Sequence, residues 1–327
     1  MFNEEIEIAL ASNQKYFPGL LVTAYSIAKH ASEYSILNFN ILDSGLEDQS
    51  YEILAAAVVR VHPQSQFRRF HINEESYSAF PDWRGNKMAY VRFLLPELLP
   101  HTDFVIYTDV DCLWYEDISK IWARRNPDVA IQGIWDPYAE NDDIPWYKAK
   151  GLQFKSGKYF CTGNMMMNLR MFREQNIIQK TVEFILKYPD VRYPDQTSLN
   201  FVVQDSVELL PANYNYFTLS INRDDIKKPV ILHFANDFPW LFSERSIGVP
   251  PPYMLWWYQC YAEATESGVD SVLRQFHVFR MKFFLRFGKY LRYRSIRWPF
   301  YLILTVLGKR NWFSSLSRYC SKHPELV

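Results

Sequence analysis

Phe104-Val105-Ile106-Tyr107-Thr108-Asp109-Val110-Asp111 is an apolar run that stops at two carboxylates one residue apart. Four successive apolar side chains, Phe104 to Tyr107, predict a short strand buried on both faces, as in a parallel sheet. The carboxyl ends of such strands are where open α/β sheets bind their ligands. Two acids this close repel each other unless positive charge stands beside them. A hard divalent cation, Mg²⁺ or Mn²⁺, meets that need and bridges readily to phosphate oxygens. A solvated Asp-x-Asp turn satisfies the same spacing, so the surrounding chain has to decide.

Upstream, residues 6–11, 36–42 and 66–72 read as strands, and residues 19–30 and 47–61 as helices. Residues 87–99 carry a helical apolar pattern with Pro96 near its end. Strands alternating with helices of this length predict a parallel sheet with helices on both faces. The first βα turn, residues 11–19, has neither G-x-G-x-x-G nor a Walker A loop, which argues against a dinucleotide-binding Rossmann enzyme and a P-loop NTPase. Downstream, residues 128–134 and 230–234 read as strands, and 177–187, 196–203 and 253–265 as helices. Residues 163–169 are apolar and Met-rich, and 236–252 are loop-like. Residues 136–157 are polar and aromatic without a clear period, which predicts a functional loop or lid.

With 327 residues, 48% hydrophobic and 17% aromatic, the chain can bury one large core or two modest ones. Its net charge of zero hides an asymmetry. Before residue 274 stand 24 of the 36 Lys and Arg but 35 of the 36 Asp and Glu; from Arg274 onward twelve basic residues face one acid, Glu325. The division predicts an acidic body, residues 1–273, and a basic region, residues 274–327, with different partners. Residues 1–7 contain three acids and no apolar h-region, so no secretory signal is expected. Cys112, Cys161, Cys260 and Cys320 are far apart and read as reduced thiols, not as a disulfide framework or a zinc site.

In the basic region, helical projection puts Phe276, Phe279, Phe283, Phe287, Tyr290 and Leu291 on one face. Arg274, Lys282, Arg286, Lys289 and Arg292 fall opposite, while Arg280 and Arg294 intrude on the apolar side. That pattern predicts an interfacial amphipathic helix on an anionic membrane surface. A terminal helix packed on the body and a nucleic-acid arm are the other readings of the same residues. No stretch reaches the roughly 18 apolar residues of a bilayer span.

Several residues near strand ends have ordinary structural explanations when taken singly. Asp195 after Pro194 suits a helix N-cap, His233 suits a satisfied core histidine, and Met165, Met166 and Met167 suit core filling. Together and in order they look different. Residues 11–16 follow the first strand; Tyr90-Val91-Arg92-Phe93, Tyr107-Thr108-Asp109-Val110-Asp111 and Asp136 come next. Residues 159–169, Tyr193-Pro194-Asp195-Gln196, and His233 with Pro239-Trp240 complete the set. The series resembles glycosyltransferase family 8, the retaining galactosyl- and glucosyltransferases of lipopolysaccharide and glycogenin, over residues 6–240.

The resemblance implies an α/β fold of the GT-A type, a Rossmann-like mixed sheet with helices on both faces. It implies a UDP-sugar donor, UDP-galactose or UDP-glucose, and a Mn²⁺ (or Mg²⁺) ion held by Asp109, Asp111 and His233. By position, Tyr16 would stack on uracil, Ala11 and Asn13 would line the base pocket, and Arg92 and Asp195 would hold the donor sugar. Thr162 and Gly163 would pass beneath that sugar, Gln196 would stand near the anomeric carbon, and Asp136 would face a saccharide acceptor. The chain departs from the family pattern at Ser12-Asn13-Gln14-Lys15, at Cys161-Thr162, and in residues 234–238, which are one residue shorter and lack a Lys.

The expectation is a retaining hexosyltransferase acting on a lipid-linked glycan such as lipopolysaccharide, cytoplasmic and peripheral on the inner face of the membrane, with no nucleic-acid partner. A catalytically silent homologue that binds UDP-sugar or glycan is the alternative. A haloacid-dehalogenase phosphohydrolase also carries Asp-x-Asp after a strand, but at its first strand; here three strands precede it.

Overall fold

Parallel pairing of β1 (Glu4–Ser12), β2 (Ser35–Asp43), β3 (Gln66–His71) and β4 (Phe104–Thr108) builds one half of a sheet in the order β3-β2-β1-β4. Parallel neighbours need crossovers, and the first two are α1 (Phe17–His30) and α2 (Asp48–Val61). These are elements of a computed structural model that describes residues 4–73, 75, 78, 80, 87–155, 157–218, 229–235, 238–241 and 254–276. The described residues divide between two units: those up to 216 with 229–233, and those at 217–218, 234–235, 238–241 and 254–276.

Residues 87–99, expected as one helix, form a 3-10 helix (Met88–Leu94) followed by the short α3 (Leu95–Leu98). Pro96 has no N–H to give the Arg92 carbonyl, so the Leu95 N–H takes it in a tighter turn. After β4 come β5 (Cys112–Trp114), α4 (Ser119–Trp122) and β6 (Ile131–Trp135), the last starting three residues later than its apolar pattern suggested.

The expected loop over 136–157 is largely a helix, α5 (Pro137–Ala149). Its buried positions are Ala139, Glu140, Asp143 and Tyr147. That spacing is helical, but two of the four are acids, which concealed the period. Then follow β7 (Phe160–Asn168), α6 (Leu169–Glu174), α7 (Ile177–Lys187), α8 (Pro194–Val203), β8 (Val207–Leu210), the two-residue β9 (Tyr216–Phe217) and β10 (Ile231–His233).

The full sheet runs β3-β2-β1-β4-β7-β6-β8. β7 is antiparallel to both β4 and β6, so the sheet is mixed. All nine residues of β7 are buried, and Met165 and Met167 join Ala9, Val105 and Tyr107 in one core with Val91, Phe93 and Leu199. Because β6 lies antiparallel to β7, it points the same way as β4, and their carboxyl ends share one edge.

In the second unit α9 (Met254–Ala264) and α10 (Val269–Gln275) follow a short 3-10 turn, Pro239–Leu241. Tyr258 donates to the Pro239 carbonyl at 2.9 Å, and Trp257 stacks on Tyr261. Among the described residues no helix is long and apolar enough to cross a membrane. The amphipathic helix expected from residue 274 lies, from residue 277 on, outside the described residues.

Candidate active site at the carboxyl edge of the sheet

β4 carries the chain through the core and releases it at Asp109, whose amide donates to the Gly163 carbonyl at 2.7 Å. From inside the fold, α1 holds the turn that follows. The buried Thr23 hydroxyl lies 2.9 Å from the Val110 carbonyl and 2.7 Å from that of Cys112, and Ser26 accepts from the Trp114 amide. β5 then pairs antiparallel with β10, setting Cys112 opposite His233. That ladder brings His233 Nε2 to 3.2 Å from Asp111 Oδ1. Gly163 closes the group, since a Cβ there would stand 2.6 Å from Asp109 Oδ2 and 2.8 Å from His233 Cε1. Asp109 and His233 thus both approach Gly163, and His233 in turn approaches Asp111, whereas the group of ligand atoms lying within 4.8 Å of one another is Asp111, Cys112 and His233.

Behind His233 runs a chain of amides that the sequence reading did not single out. His233 Nδ1 lies 2.8 Å from Asn215 Oδ1, which also accepts from Asn164 Nδ2 at 2.8 Å. Thr108 in turn donates to Asn164 Oδ1 at 2.5 Å. A carbonyl oxygen only accepts, so Nδ1 carries a proton and Nε2 is the nitrogen turned to Asp111. Burial disfavours charge on His233, but Cys112, Asp111 and Cys161 outweigh it and raise its pKa well above 6.5. Asp109 is raised mainly by burial, with Asp111 adding to it and Arg92 opposing it. Burial pushes the Cys112 thiol up to about 12.

Arg92, on the 3-10 helix before α3, is buried and gathers the next group. It donates to the Thr162 carbonyl at 2.6 Å and to Asp109 Oδ1 at 3.2 Å, and lies 3.8 Å from Asp195 Oδ2. Its guanidinium also sits 4.5 Å over the Tyr107 ring. Burial works against this cation, yet Tyr107, Asp109 and Asp195 keep it firmly charged. Asp195 is not the N-cap that Pro194 suggested. Helix α8 starts at Pro194 with Tyr193 as its cap, so the Asp195 carboxylate is turned to Arg92 and to the Thr162 hydroxyl, 3.3 Å away.

Gln196 bridges two strands' ends. Its Oε1 accepts from the Thr162 amide at 3.1 Å, and its Nε2 donates to Asp136 Oδ2 at 3.2 Å. Asp136 caps α5 through the Tyr138 and Ala139 amides, and burial raises its pKa against those bonds. Asn200 ties α8 to β7 by accepting from the Phe160 amide and donating to its carbonyl, both at 2.8 Å. Beneath this lies Asp143, buried with Thr197 at 2.6 Å and the Tyr159 hydroxyl.

Asp109, Asp111, His233, Gly163, Thr162, Arg92, Asp195, Gln196 and Asp136 thus form one continuous constellation. One strand over, Ala11 lies near the carboxyl end of β1, and Asn13 and Tyr16 follow it, where Asn13 Oδ1 accepts from the Tyr16 amide at 3.3 Å. Of the shortened segment 234–238, residues 236 and 237 lie outside the described residues. Thr23, Asn164, Asn200 and Asn215 were missed; their only trace in the sequence is a polar residue inside an apolar run.

Residues 7–243 match the model of the family described as Glycosyl transferase family 8. The general stress protein A of Bacillus subtilis is 25% identical over 258 residues, covering 73% of this chain and 88% of that protein. A lipopolysaccharide 1,2-glucosyltransferase of Escherichia coli is 22% identical over 253 residues, covering 72% and 69%. Among solved structures, the galactosyltransferase LgtC in complex with donor and acceptor sugar analogs superposes with a TM-score of 0.65 at 21% identity, over 79% of this chain and 95% of that one. The mixed sheet is accordingly the GT-A fold.

Proposed function

The chain belongs to glycosyl transferase family 8, and from that premise we propose that it moves galactose or glucose, with retention, from a UDP-sugar to a saccharide acceptor. The observation that supports this reading is the approach of Asp109 and His233 to Gly163, with His233 Nε2 3.2 Å from Asp111 Oδ1. Two carboxylates and an imidazole nitrogen, backed by Asn215, suit a divalent cation such as Mn²⁺ or Mg²⁺. Bound there, the ion would grip the diphosphate and neutralise its charge as UDP leaves.

The chain's own residues do the rest. Arg92 is held by the Thr162 carbonyl and two carboxylates, and with Asp195 it would orient the donor sugar above Thr162 and Gly163. Tyr16 would stack on uracil beside Ala11 and Asn13. Gln196 is neutral and engaged at both ends of its amide. A neutral amide is a poor nucleophile, so the acceptor hydroxyl attacks on the face the phosphate leaves, through an oxocarbenium-like state that Gln196 stabilises. Asp136, whose pKa is raised by burial, would face that hydroxyl.

The acceptor in this reading is a lipid-linked glycan at the inner face of the membrane, supported by the twelve basic residues and the aromatics from Arg274 onward. The deciding experiment is Mn²⁺-dependent release of UDP from UDP-galactose and UDP-glucose, lost in Asp111→Ala. Mn²⁺-dependent binding of UDP-sugar without turnover would instead identify a silent binding homologue. A glycosyl adduct trapped on any side chain would overturn the same-face route.

A further inference from the structure

The first residue of β5, Cys112, is a donor that hexosyl transfer leaves unused. Asp111, Cys112 and His233 each offer one ligand atom; all three residues are buried, and the atoms lie within 4.8 Å of one another. Cysteine spacing argues against a zinc motif, but sheet pairing achieves what spacing does not, because the β5–β10 ladder sets Cys112 opposite His233. Asn164 Nδ2 stands 3.2 Å from Cys112 Sγ and fixes the position of the sulfur beside His233. A second thiol, Cys161, is also in hydrogen-bonding contact with His233. Hard ions gain little from sulfur, whereas Zn²⁺ and Cd²⁺ take sulfur, imidazole and carboxylate together.

We propose that Asp111, Cys112 and His233 form a site for a thiophilic divalent cation of the zinc class. Binding forms a sulfur–metal bond from the Cys112 lone pair and releases the thiol proton to solvent. Asp111 and His233 cannot serve two ions at once, so a soft cation here excludes Mn²⁺ and blocks the donor. That competition rests on the hexosyltransferase reading; the sulfur site does not.

The test is titration of the metal-free, full-length protein with Cd²⁺, read as thiolate-to-metal charge-transfer absorption. The band should appear in the wild type and in Cys260→Ser, and vanish in Cys112→Ser. No band in the wild type, or a band that survives Cys112→Ser, overturns the site. Asp111→Asn leaves every thiol in place and guards against a Cys112→Ser chain that fails to fold. Its Cd²⁺ affinity should fall about tenfold, and an unchanged affinity overturns the site equally. Electron paramagnetic resonance of Mn²⁺ gives a separate arm. Release of bound Mn²⁺ by Cd²⁺ supports the competition, and co-occupancy refutes it. A Cys112-dependent Cd²⁺ band in a protein that binds no Mn²⁺ keeps the sulfur site and removes the Mn²⁺ assignment.

Discussion

A methyl group on Gly163 would press on Asp109 Oδ2 at 2.6 Å and on His233 Cε1 at 2.8 Å. Both neighbours belong to the proposed metal site, so relief of the clash moves a ligand. Gly163→Ala should therefore abolish Mn²⁺-dependent UDP release while costing only about 1–3 kcal/mol of stability; thermal melting beside activity checks both halves. Asn215 acts one step further out. Asn215→Leu removes the acceptor of the His233 Nδ1 proton and should weaken Mn²⁺ binding about 10–100-fold. Asn215→Asp keeps an acceptor and should retain binding. Nitrogen shifts of the His233 ring would report which nitrogen carries the proton, a readout that loss of packing alone does not move. Asp109, Asp111 and His233 stand out in the sequence as candidate ligands because acids at a strand end and a histidine near Pro-Trp form a pattern. Asn215 and Asn164 were not, because an amide in an apolar run reveals nothing about what its oxygen faces.

Helix α5 shows how an element can be illegible and still essential to the site. Its cap, Asp136, accepts from the Tyr138 and Ala139 amides as well as from Gln196. Asp136→Ala should cost about 1 kcal/mol of stability. Asp136→Asn keeps the cap but loses the charge, so near-native melting with reduced transfer would separate capping from chemistry. The helix also buries Asp143, whose pKa burial raises above its ordinary 3.8 despite the Thr197 and Tyr159 hydrogen bonds. A carboxyl raised in the folded state holds its proton longer there than in the unfolded chain. Stability from that group is complete below 3.8 and declines as pH climbs towards the raised value. Asp143→Asn does not titrate and should gain on the wild type over that interval; melting temperatures that stay parallel across it would refute the prediction. By contrast α1, α2, β1, β2 and β4 were legible to within two residues at each end, since each pairs a clean period with turn residues such as Asp43-Ser44-Gly45.

At the scale of the whole molecule, the acidic body and the basic region from Arg274 predict a charge-driven attachment. Replacing Arg280, Lys282, Arg286 and Lys289 by Gln should weaken binding to anionic vesicles by about 1 kcal/mol per residue. Cosedimentation that ignores both the substitutions and added salt would refute it. The alternation of strands and helices, the carboxylate pair at the end of a buried strand and the asymmetry of charge are properties of local sequence, because hydrophobic period and formal charge need no partner to be read. Whether β7 runs against its neighbours, whether Cys112 meets His233 and which nitrogen of that ring faces Asp111 were decided only in the tertiary structure. Each depends on two segments distant in the chain being brought into register by the sheet, and no local pattern records the register of a partner strand.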